Sequence, residues 1–106
     1  MSFLDRFFPK ADIEFAHQMA DKIAKHFPPS GEVKLAKQGG QRRLGGVVET
    51  VFGDLDTWKG QAHPGWVRKA RLGNAFRWRL VELGYSKEFV EALTEGVVTH
   101  LSAQRS

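Results

Sequence analysis

Four stretches of this chain space their apolar residues three and four positions apart, a rhythm that only an α-helix turns into one continuous face. In the first, Ile13, Ala16, Met19, Ala20, Ile23 and Phe27 keep that step. Pro28 and Pro29 end it, because proline drives the residue before it out of the helical region. Asp12 stands where an N-cap belongs, and Glu14 suits the positive end of the helix dipole. The second stretch contains VVETVF, residues 47–52, whose β-branched side chains favour a strand locally. Leu44, Val47, Val48, Val51, Leu55 and Trp58 nevertheless hold a helical stripe that no strand can use. Gly45, Gly46 and Gly53 lie inside it, each costing about 1 kcal/mol relative to alanine.

The third stretch runs from Trp66 to Leu83, with Gly84 placed to end it in the left-handed conformation. The fourth opens on Ser86 as N-cap, with Glu88 in the first turn and Tyr85 positioned to staple onto Val90. Phe89, Leu93, Val97 and Leu101 form its stripe, with His100 beside them. The pattern predicts an all-α fold, a compact bundle of about four helices over roughly 12–27, 42–59, 66–83 and 87–103, the last two an antiparallel hairpin. One domain covers residues 1–106, a length suited to a single core. It includes a short aromatic N-terminal segment (1–9), a glycine-rich loop (28–41) with an extended piece around residues 33–36, and a connector over residues 59–66.

Hydrophobic residues make up 42% of the chain and charged residues 26%, enough apolar content to form that core and avoid wholesale disorder. Cysteine is absent, which removes disulfides, thiolate metal sites and cysteine nucleophiles. The opening MSFLDRFFPK is broken by Asp5, Arg6 and Pro9 and lacks the shape of a secretory signal, and no apolar run reaches the roughly 18 residues of a membrane span. A cytoplasmic protein without a transmembrane segment is the expectation.

No motif of known chemistry can be assembled. The four histidines form neither HxxxH nor HExxH, so no metal site is expected. His17 and Asp21 share a helix face as a solvated polar pair, and His100 reads as a core histidine bonded to a backbone carbonyl. Asp54 and Asp56 point to opposite sides of a helix and cannot flank one scissile bond. In GGQRRLGG, residues 39–46, Gly40 and Gly45 have phosphate-loop separation, but Gly46 stands where the lysine is required. The expectation is therefore a non-enzymatic protein with no cofactor.

The net charge of +4 is concentrated centrally. Residues 31–79 carry ten cations (Lys34, Lys37, Arg42, Arg43, Lys59, Arg68, Lys69, Arg71, Arg77, Arg79) against four anions, whereas residues 80–106 are net acidic. The densest part is WVRKARLGNAFRWRL, residues 66–80. As one helix it has two apolar faces, Leu72, Phe76, Leu80 and Leu83 on one side and Val67, Ala70, Trp78 and Val81 on the other, which predicts a central helix packed on both sides. Trp66, Phe76 and Trp78 are then core residues, and truncating Trp78 to alanine is expected to cost about 3–5 kcal/mol. A helix-turn-helix around Gly73 fails, because Lys69 and Arg79 fall where its packed angle needs small and aliphatic side chains.

Arg68, Arg71 and Arg79 share the polar strip left between those faces, and Arg42 and Arg43 join them as contacts to nucleic acid or an acidic partner. Phe3, Phe7 and Phe8 supply a partner-facing apolar surface. The first functional expectation is a helical protein-interaction or self-association module, with another protein or a second copy as partner. The alternative is an accessory nucleic-acid binder that holds DNA or RNA through phosphates with the basic 31–79 region.

Overall fold

The computed structural model describes residues 9–35 and 38–103. Four α-helices and one 3-10 turn lie within them: α1 (Lys10–His26), the 3-10 helix Pro29–Lys34, α2 (Gln38–Ala62), α3 (Trp66–Leu83) and α4 (Lys87–Ala103). Phe3, Phe7 and Phe8 fall outside the described residues. All four helical stretches expected from the spacing are present, and α3 has the expected bounds.

The differences lie at the ends. Asp12 is not the cap of α1: Pro9 occupies that position in extended conformation, and Asp12 sits inside the first turn, its amide donating to the Pro9 carbonyl. Among the described residues of the stretch 28–41, Pro29–Lys34 form a 3-10 helix and 38–41 belong to α2, where a loop with an extended piece is expected. Pro29 starts a 3-10 turn with its ring-fixed φ already helical, and α2 begins at Gln38, ahead of its expected start. Tertiary bonds hold this turn, with the Glu32 carboxylate accepting from the Ser86 amide at 2.8 Å and from the Ser86 hydroxyl at 2.6 Å. The connector after α2 is also shorter than expected, because α2 runs to Ala62 and leaves only His63, Pro64 and Gly65 between helices.

Packing is organised around α3, which lies against both α1 and α4; α2 packs on α1 and, less extensively, on α4. Leu72, Phe76 and Leu80 of α3 are buried among Met19 and Ile23 of α1, Val51 and Leu55 of α2, and Val90, Val97 and Leu101 of α4, all in one core. Gly73 marks the close approach of α3 and α4, since a Cβ there would stand 2.8 Å from Val98 Cγ2. The helix does not break at Gly73 and Asn74.

The α3–α4 hairpin forms as its residues predict. Gly84 adopts φ 100°, its amide bonds to the Val81 carbonyl, and the Tyr85 amide reaches back to Leu80, which is a Schellman closure. Ser86 Oγ then accepts from the Phe89 amide as an N-cap. Tyr85 is buried, stacks on Phe89 at 4.5 Å and donates its hydroxyl to the Phe27 carbonyl at 2.5 Å, tying the hairpin to the end of α1. Burial, with the Glu32 charge second, pushes its phenol up to about 12.

Candidate interaction surface

The arginines and tryptophans of α3 take places opposite to those expected from the helix wheel. Val67, Trp78 and Val81 are not a second core face. Trp66 is 80% exposed, Trp78 54%, Val81 42% and Val67 37%. Ala70 and Asn74 are exposed between them. The result is an open strip along α3, about 22 Å from Trp66 to Val81 at the helical rise. Arg77 lies 5.0 Å over the Trp78 ring and 3.8 Å from Glu91 of α4, at one edge of the strip. Arg71 is exposed at the other edge. The physical reason is topological: α1 and α4 cover the inner face of α3, and α2 sits across α1 and α4 rather than over the outer one.

Arg68 and Arg79, in turn, reach inward to α1. Arg68 grips Asp12 through Nε at 2.9 Å and Nη2 at 3.0 Å, a two-point contact to a carboxylate only 7% exposed. The Trp58 indole donates to the same carboxylate at 3.2 Å, and the Arg68 guanidinium stands 5.8 Å over the Trp58 ring. The hydrogen bond to Asp12 raises the pKa of Arg68 above its ordinary value. Arg79 donates to Asp21 at 2.9 Å and to Glu82 at 3.3 Å, and its pKa is raised chiefly by Asp21. Two of the five arginines expected to meet a partner, Arg68 and Arg79, therefore brace α3 against α1. Arg42 and Arg43 lie apart from them, exposed in the early turns of α2.

The remaining polar residues serve as seams between helices. Asp54 and Asp56 do point to different neighbours: Asp54 takes the Lys22 ammonium of α1 at 2.5 Å, and Asp56 takes His100 Nε2 of α4 at 2.8 Å. His100 is thus bonded to a carboxylate rather than a backbone carbonyl, and its ring stacks on Phe52 at 4.4 Å. Asp21 is engaged by Arg79 rather than left as a solvated partner of His17. Among the described residues no three His, Asp or Glu side chains converge as a metal site, and no helix is long and apolar enough to cross a membrane.

The chain matches no family model, no curated protein and no solved structure. Sequence reasoning missed the exposed strip because a helix wheel shows which residues share a face, not whether another element covers it. One signal was present: the outer face carries Trp and Arg, residue types enriched at interfaces, whereas the inner face is Leu and Phe.

Proposed function

We propose that this protein is a non-enzymatic binding module whose outward α3 face docks another protein. The exposure of Trp66 and Trp78 on one rigid helix, joined by Val67 and Val81, carries the reading. Aromatic side chains held open on a scaffold are the typical anchors of protein interfaces. Arg71 and Arg77 border the strip, so the fitting partner is an amphipathic helix with an apolar stripe flanked by carboxylates.

A test uses the full chain and two peptides that share an apolar stripe and differ only in Glu or Lys flanks. Fluorescence anisotropy should give binding of the Glu-flanked peptide at least about tenfold tighter, a difference of about 1.4 kcal/mol. The Trp66→Ser/Trp78→Ser variant should lose it while its circular dichroism stays unchanged. Equal binding of both peptides, or binding indifferent to the variant, sinks the reading. Sedimentation of the same two proteins asks whether a second copy fills the strip.

The exposed tryptophans also favour a second reading, in which bases of a single strand stack on them. It is weakened by the apolar Val67, Ala70 and Val81 between them and by the internal pairing of Arg68 and Arg79. Oligothymidylate binding abolished by the tryptophan variant would move the assignment to nucleic acid.

A further inference from the structure

Several cations among the described residues are already engaged. Arg68, Arg79 and Lys22 are engaged by carboxylates. Among the described residues, the side chains of His26 and Arg43 make no hydrogen bond or ion pair, yet they converge. With Lys22 they line a cleft of about 200 Å³ between the end of α1 and the early turns of α2, closed by Gly46, Val47 and Thr50. No carboxylate lines it, and Lys22 is bound to Asp54. Arg42 and Lys25, both exposed, are sequence neighbours of the lining residues and add positive charge nearby.

The cleft is smaller than the roughly 300–1,000 Å³ that encloses a drug-sized ligand. It therefore suits a charged head rather than a whole nucleotide. A planar guanidinium, an ammonium and an imidazole around one small space suit the several oxygens of a phosphate, with the arginine offering a two-point grip. Lys22 is positioned to share its donors between Asp54 and an incoming anion, since an ammonium has three. Gly46 supplies the room: a Cβ there would meet no atom within 4 Å, and neither crowding nor backbone conformation requires glycine at that helical position.

We propose that the α1–α2 cleft is a phosphate-monoester site, with Arg43 as the principal grip, Lys22 and His26 as flanking donors and Gly46 as its floor. The site is independent of the α3 face and does not rest on it. Two sources share this chemistry, a small phosphorylated metabolite and the headgroup of a phosphomonoester lipid.

The test is a titration of the isotope-labelled full chain with inorganic phosphate and with glycerol 3-phosphate, at matched ionic strength against chloride. Saturable amide shifts should centre on residues 22–26 and 43–50. Arg43→Gln should weaken binding about tenfold, the equivalent of about 1.4 kcal/mol. Arg43→Lys should fall between, because it keeps the charge and loses the fork. Gly46→Val should block the cleft, with its fold checked by circular dichroism. Flotation with phosphatidylcholine vesicles containing phosphatidic acid or, as control, phosphatidylserine separates the sources. Capture by phosphatidic acid alone identifies the lipid, and saturation by glycerol 3-phosphate without flotation identifies the metabolite. Non-saturable shifts, shifts equal in chloride, or binding untouched by Arg43→Gln would overturn the proposal.

Discussion

The two faces of α3 are built from similar amounts of apolar side chain and meet opposite surroundings. Leu72, Phe76 and Leu80 on the inner face are fully enclosed by α1 and α4, whereas Trp66, Val67, Trp78 and Val81 on the outer face meet water. Apolar content thus does not decide burial on this helix. The route of the chain does, because α2 is laid over α1 and α4. An apolar face left open by that route exposes a hydrophobic strip with a free-energy cost that burial against a partner would offset.

The largest test of this contrast is a pair of truncations. Phe76→Ala should cost about 3–5 kcal/mol in urea unfolding, as an enclosed aromatic, while Trp78→Ala should cost about 1 kcal/mol or less. Similar losses for both would mean that the outer face is covered after all. Next comes the brace that orients the two faces. Asp12→Asn removes the charge that receives Arg68 and should cost about 2 kcal/mol, a figure set between an exposed pair and a fully buried one. A change of only a few tenths would reduce the contact to a surface ion pair.

The last contrast is one of sign and comes from one substitution at two glycines. Gly73→Ala pushes a methyl into Val98 across the tight α3–α4 seam and should destabilise by about 1–3 kcal/mol. Gly53→Ala on α2 meets open space and should stabilise by about 0.5–1 kcal/mol through helix propensity and the narrowed unfolded ensemble. Equal signs at the two sites, read from thermal midpoints, would contradict the packing described for α3 and α4.

The helices were legible in the sequence because periodicity reports backbone geometry directly. The Gly84-Tyr85-Ser86 closure was legible because each residue has a local role there. The stripe over Val47, Val51 and Leu55 outweighed the strand preference of VVETVF for the same reason: three buried residues on one helical face constrain more than local propensity does. The surface was not legible. Whether Trp78 is covered, and whether Arg68 faces a partner or Asp12, depends on residues 46 and 56 positions away in pairings such as Trp58 to Asp12 and Arg68 to Asp12. No local pattern encodes those pairings. The convergence of Lys22, His26 and Arg43 is of the same kind, joining two helices across the turn that was expected to be a loop.

The two Asp–Arg braces have a consequence for how α1 and α3 find each other. The helices run parallel, and Asp12 meets Arg68 while Asp21 meets Arg79. Slide α3 by one turn in one direction and the two carboxylates face Leu72 and Leu83; slide it in the other and they face Pro64 and Ala75. A four-residue shift in either direction therefore loses both charge pairs at once. The two braces thus favour the observed axial setting of α3 against α1 over a shift of four residues.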